Sequence, residues 1–155
     1  MRLITLAAAV AAALAAATPA LAADAAKPEE ILKMRQGLFQ AVKANFGPLV
    51  AIAKGEAQPG DMTVQQAENL AALARITPMS FGPGSEALPN ARTKPEAFTN
   101  ADFAKGAQMF QAETAKLAEA AKAGGDAIKA QVGAVGKTCK TCHDSFRTCL
   151  LYTSR

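Results

Sequence analysis

Near the end of the chain, Ile128, Val132, Val135, Cys139, Cys142 and Phe146 recur every three or four residues, the spacing of one inward face of an α-helix. His143 directly follows the second cysteine, so Cys139-Lys140-Thr141-Cys142-His143 is a CxxCH sequence lying on that face. A helix that turns two thiols inward must pack around whatever those thiols hold. CxxCH reads as the covalent attachment site of a c-type haem. Residues three apart share a helix face, so both thiols reach the vinyl groups of one porphyrin edge while His143 turns toward the iron. Three other readings compete. A thioredoxin-type dithiol would open a helix after a strand, and no strand-like run precedes Cys139. A structural zinc site normally draws on two separated ligand pairs, and there is no second pair. Chance occurrence is the third.

The rest of the chain is helical in pattern. Pro28, Glu29 and Glu30 suit a helix start, and Ile31, Leu38, Val42, Phe46, Leu49 and Ala53 form one stripe, with Phe39 at its border. This predicts a long helix from Pro28 to about Lys54, ended by Gly55, with a bend possible at Gly47-Pro48. Arg35 falls on or beside the inward face, where a permanent cation calls for an anionic partner. Thr63 and Gln66 form a candidate capping box for a second, alanine-rich helix that Pro78 stops. A proline- and glycine-rich loop of roughly 20 residues follows, long enough to imply a task or a surface to rest on. Thr99 and Asp102 open a third helix bearing Phe103, Ala107, Phe110, Thr114, Leu117 and Ala121, which ends at Gly124-Gly125, and Asp126 is the candidate cap of the fourth. The expected fold is all-α: an antiparallel four-helix bundle with the haem covalently bound on the C-terminal helix, between helices.

The N-terminus is expected to be a cleaved secretory signal peptide over residues 1–22. Arg2 is its charged start, Leu3 to Ala17 its apolar run, and Ala20-Leu21-Ala22 its small-x-small cleavage site. Export agrees with CxxCH, since c-type haem is attached on the outer side of the bacterial inner membrane; the predicted location is the periplasm. No later stretch is apolar enough to cross a membrane, so no stable insertion is expected after cleavage. Without Arg2 the chain carries 16 basic against 13 acidic residues, too mild a balance to argue for nucleic acid. With no Trp, one Tyr and many alanines, the mature domain gains buried surface from a large apolar cofactor.

A CxxCH on the last of four helices resembles the class II c-type cytochromes, specifically the cytochrome c prime family; in the common class I proteins the motif lies near the N-terminus. Further matches are Arg35-Gln36, Phe46-Gly47, Ile52-Ala53-Lys54-Gly55, Phe81-Gly82-Pro83-Gly84 and Cys142-His143-Asp144-Ser145-Phe146-Arg147, so the domain is assigned to residues 23–147. The resemblance implies haem c bound through Cys139 and Cys142, a five-coordinate high-spin iron with His143 as its only protein ligand, and an apolar pocket on the opposite face. His143 is the only histidine, which excludes a second imidazole. Low-spin relatives carry a methionine four residues after the position matching Arg35; here that residue is Phe39, and Met34 lies about 140° away around the helix. The resemblance further places Arg35 and Gln36 near the haem propionates, Phe39 over the distal face and Arg147 beside the proximal imidazole.

The expected function is electron transfer together with binding of small diatomic gases, nitric oxide and carbon monoxide. The alternative is a low-spin class II cytochrome acting purely as an electron carrier. No enzymatic activity is expected, because no distal histidine exists to cleave peroxide. The family implies a homodimer, for which the small-residue face of the second helix is suited, and redox partner proteins of the periplasm. Residues 148–155 depart from the family pattern and are expected to be a disordered tail without function. Cys149 leaves an odd cysteine there, open to an inter-chain disulfide or a reactive thiol.

Overall fold

The computed structural model describes residues 26–148. The expected signal peptide and the tail after Thr148, Cys149 included, lie outside the described residues. Four helices account for the fold: α1 (Pro28–Ala53), α2 (Thr63–Ile76), α3 (Ala101–Ala123) and α4 (Asp126–Phe146). They form the expected antiparallel four-helix bundle, each helix packing on its chain neighbours and α4 closing against α1. Two 3₁₀ turns, Thr77–Ser80 and Pro95–Phe98, interrupt the long connection between α2 and α3.

The helix starts differ from the sequence expectation in detail. Lys27 N–H donates to Glu30 Oε2 at 3.3 Å, closing the first turn of α1 behind Pro28. The capping box expected from Thr63 and Gln66 does not form: Thr63 is already helical, and its Oγ1 accepts from Gly60 N–H at 2.9 Å, tying the helix back to the preceding turn. Asn100, rather than Thr99, caps α3, its Oδ1 accepting from Asp102 N–H at 2.7 Å. Asp126 is the first residue of α4 behind a positive-φ Gly125 and acts through its charge in the first turn, making no side-chain cap bond.

Leu49, Ala67, Leu70, Ala74, Leu117, Ile128 and Val135 are completely buried and fill the end of the bundle where α4 begins. Burying each of the larger side chains contributes about 1.5–3 kcal/mol. The alanines of α2 let it approach α1, and Asn69 Nδ2 donates to Asn45 Oδ1 at 3.2 Å between the two helices. Along α4 the inward stripe changes character. Ile128, Val132 and Val135 are buried in the core, whereas Cys139, Cys142 and Phe146 are only half-buried, because the opposite end of the bundle is hollow.

Residues 81–94 run across that hollow end and are fastened at both sides. Gly82 lies so close to α1 that a Cβ there would sit 2.6 Å from Ile31 Cδ1, and Gly84, at φ +82°, lies against Pro28. At the other side Lys94 N–H donates to Phe146 O at 2.8 Å and Thr148 N–H to Arg92 O at 2.9 Å, so the loop caps the C-terminus of α4. Thr148, assigned to the tail from sequence, therefore belongs to the folded domain. No helix of the described residues is long and apolar enough to cross a membrane.

Candidate functional site

The CxxCH stretch lies inside α4, more than three turns from its start, with Cys139 and Cys142 on the same inward face. Burial pushes both thiols above the ordinary cysteine value, and for Cys142 the neighbouring Cys139 adds to the rise. A helix-interior position and neutral thiols are the opposite of a thioredoxin dithiol, whose reactive cysteine needs a lowered pKa at a helix start. Among the described residues no three His, Cys, Asp or Glu side chains converge on a common point, which removes the zinc reading as well. His143 is held below the ordinary histidine value, first by burial, then by the positive charge of Arg147, with Asp144 opposing. Both causes favour the neutral imidazole, whose lone pair can bind a metal.

These side chains face a cavity of about 850 Å³ between α1, α3, α4 and the long loop. All seven site residues expected from sequence line it: Arg35, Gln36 and Phe39 from α1, Cys139, Cys142 and His143 from α4, and Arg147 directly after the end of α4. The size lies within the range of cofactor pockets, about 300–1,000 Å³. A second cavity of about 520 Å³, on the other flank of α4, shares Cys142 but carries the carboxylates Glu96 and Asp102 and lacks His143.

Residues that sequence reasoning left in the core or the loop complete the walls. Phe46, Phe81, Phe103 and Phe110 add aromatic surface, and Asn90, Arg92 and Thr93 close the rim. The rings form a chain of edge-to-face contacts: Phe39 to Phe81 at 6.2 Å, Phe81 to Phe103 at 4.7 Å, and Phe103 to Phe146 at 5.4 Å between centroids. The signal for Phe103 and Phe110 was present in the stripe of α3, but periodicity identifies a face without saying whether core or cavity lies opposite. Phe81 enters the sequence reading only within the Phe81-Gly82-Pro83-Gly84 match, without a role, and nothing local marks Arg92 or Thr93, which the loop carries in from far along the chain.

The charge of the cavity has one sign. Arg35, Lys43, Arg92 and Arg147 line it, and no Asp or Glu does. Lys43, Arg92 and Arg147 make no ion pair with any described residue. An aromatic slot with two thiols and an imidazole on one wall and only cations at its rim fits a haem, a flat apolar ring bearing two carboxylates.

Arg35 is 4% exposed and lines the cavity from α1. Among the described residues its partners are oxygens of the loop: Nη1 donates to Ser80 O at 3.2 Å and Ser85 Oγ at 2.9 Å, and Nη2 to Ser85 O at 3.0 Å. Burial lowers its pKa, and the nearby Glu86 carboxylate opposes that shift without pairing directly. Three bonds leave two of the five guanidinium N–H groups for other acceptors.

An all-α bundle whose last helix presents CxxCH to an aromatic, cation-rimmed cavity defines a protein of the class II c-type cytochromes. The sequence family described as Cytochrome C' matches residues 30–147, and the chain belongs to the cytochrome c' family. It is 42% identical to cytochrome c' of Cereibacter sphaeroides over 141 residues, covering 86% of this chain and 93% of that one. Among solved structures, it resembles a nitric oxide complex of a cytochrome c prime mutant from Alcaligenes xylosoxidans (TM-score 0.73, 34% identity, 81% of this chain and 100% of that one). A carbon monoxide-bound variant from the same organism is similar (TM-score 0.72, 35% identity, 80% and 98% of the two chains).

Proposed function

We propose that this chain carries haem c, bonded through Cys139 and Cys142, with His143 as the only protein ligand to a five-coordinate iron whose other side takes nitric oxide or carbon monoxide. The observation that carries the proposal is the composition of the cavity: one imidazole on the α4 wall, Phe39 on the α1 wall, and no methionine among the lining residues. Met34, the nearest methionine in sequence to Phe39, is 46% exposed and does not line it. The haem supplies the redox-active iron and the coordination site. The chain's own residues anchor the ring, hold the neutral imidazole toward the iron, place Arg35, Gln36 and Arg147 at the polar edge, and cover the open side with a phenyl ring that cannot ligate.

The gas complexes of the Alcaligenes xylosoxidans variants support ligand binding here, and the iron also serves electron transfer. We place the protein in the periplasm as a homodimer, without enzymatic activity, since no lining residue other than His143 is an imidazole able to shuttle protons for peroxide cleavage. The test is made on holoprotein from a host that attaches haem c. Its mass reports covalent haem and cleavage before Ala23, and a high-spin ferrous spectrum that changes on adding nitric oxide or carbon monoxide is expected. A low-spin resting ferrous spectrum would refute five-coordination and favour the pure electron carrier. Sedimentation with reductant present tests the dimer independently of Cys149.

A further inference from the structure

We propose that Phe81, a loop residue, is the second ring of the barrier over the open side of the iron and sets which ligands pass, and that Arg35 is the positioning residue that holds it there. The inference rests on reading Phe39 as the distal wall. Phe39 lies on a helix face that borders the cavity, and a single ring there blocks entry only while its neighbours keep it from swinging aside. Its aromatic neighbour is Phe81, 6.2 Å away at 73°, so a swing of the Phe39 ring toward the loop requires Phe81 to yield.

Phe81 is built not to yield, although it sits on a loop, where side chains are ordinarily the freer ones. The guanidinium of Arg35 lies 5.1 Å from the centre of its ring and 5.6 Å from that of Phe98. The same guanidinium bonds the carbonyl of Ser80, directly before Phe81, and both the carbonyl and hydroxyl of Ser85 after it. Ser85 Oγ in turn donates to Gly82 O at 2.7 Å, and Gly82 is pressed on Ile31. The ring is also backed by Phe103 at 4.7 Å and Phe98 at 5.9 Å. Arg35, anchored on α1 one turn before Phe39, thereby fixes the distance between the helix that carries one ring and the loop that carries the other. A pair of rings fixed in this way admits a diatomic ligand after a small displacement and opposes a longer one, such as an alkyl isocyanide.

The experiment compares carbon monoxide and ethyl isocyanide binding to ferrous holoprotein by rapid mixing for wild type, Phe39→Ala, Phe81→Ala and the double variant. Phe81→Ala is expected to speed carbon monoxide association about tenfold and to raise ethyl isocyanide affinity by more than carbon monoxide affinity. Phe81→Tyr should restore near wild-type rates, and the two alanine effects should combine to less than their product because both rings form one barrier. Ser85→Ala, outside the cavity, should speed association about twofold by loosening the latch. Ile128→Val, a core change remote from the cavity, controls for stability loss, and Phe81→Leu replaces Phe81→Ala if the latter does not fold. A wild-type rate in the Phe81 variants while Phe39→Ala is fast would overturn the role of Phe81 and leave Phe39 intact. Unchanged rates in both would overturn the barrier altogether, and unchanged rates in both Ser85→Ala and Arg35→Leu, the latter removing all three bonds, would remove Arg35 from it.

Discussion

Replacing Arg35 by leucine separates a structural latch from a surface charge. The substitution strips the donor from three oxygens on Ser80 and Ser85, residues that are 1% and 0% exposed. Hydrogen bonds to charged groups are worth about 1.5–3 kcal/mol each, so the gross loss is about 5–9 kcal/mol. Relief of the guanidinium's desolvation offsets several kcal/mol of that, leaving a net cost of about 3–5 kcal/mol, in line with other broken buried charge contacts. A solvated arginine would cost no more than about 0.5 kcal/mol. With a guanidinium chloride slope of about 4 kcal/mol/M, the unfolding midpoint of the holoprotein should fall by about 1 M. Amide exchange should rise first at residues 80–86. Arg35→Lys keeps the charge but not the planar fork, and should recover only part of the loss. A midpoint shift below about 0.2 M, or exchange that rises evenly through all four helices, would refute the latch.

Two further predictions follow from local geometry. Gly82→Ala forces a Cβ to 2.6 Å from Ile31 Cδ1 and should destabilise by about 1–3 kcal/mol, whereas Gly133→Ala on α4, with nothing within 4 Å, should stabilise by about 0.5–1 kcal/mol; thermal unfolding reads both. The His143 imidazole, depressed by burial and by Arg147, favours its neutral form, so its hold on iron is full above the ordinary histidine value of about 6.5 and fades as pH falls through the lower folded value. Arg147→Gln should therefore move the acid transition of the haem absorption band to higher pH, and Asp144→Asn should move it to lower pH, since Asp144 acts in the opposite direction.

How far the sequence could be read depended on how local each feature is. The stripes of α1 to α4 depend on side chains three and four apart, so the helices could be located to within a residue or two. Their caps could not, because Thr99 and Asn100 are adjacent residues of equal capping chemistry and only the backbone's path into α3 selects Asn100. The α4 half of the site was legible because Cys139, Cys142 and His143 lie on little more than one turn of one helix and Arg147 directly follows its end. The loop half was not. Arg35 demanded a partner, but carbonyl and hydroxyl oxygens 45 and 50 residues away leave no sign in composition or spacing. Phe103 and Phe110 share one stripe of α3, yet Phe110 is buried in the core while Phe103 is half-buried against Phe81, a difference of depth along the bundle that periodicity does not encode.

The one-signed charge of the cavity bears on electron transfer. Four cations line it without a carboxylate, and a haem held there would bring two propionates, leaving positive charge in excess around the iron. Positive charge favours the electron-richer ferrous state, so the rim should raise the reduction potential. Arg92 isolates the effect: its carbonyl, not its side chain, accepts the bonds from Thr148, so Arg92→Gln removes charge and leaves the clamp on α4 in place. The potential should fall by an amount on the order of tens of millivolts at low salt, and by less at high salt as the exposed charge is screened. Lys43→Gln should act in the same direction, and Lys129→Gln, exposed on α4 outside the cavity lining, should have little effect. A potential that rises or stays constant in Arg92→Gln would mean that the rim cations are already neutralised by the propionates.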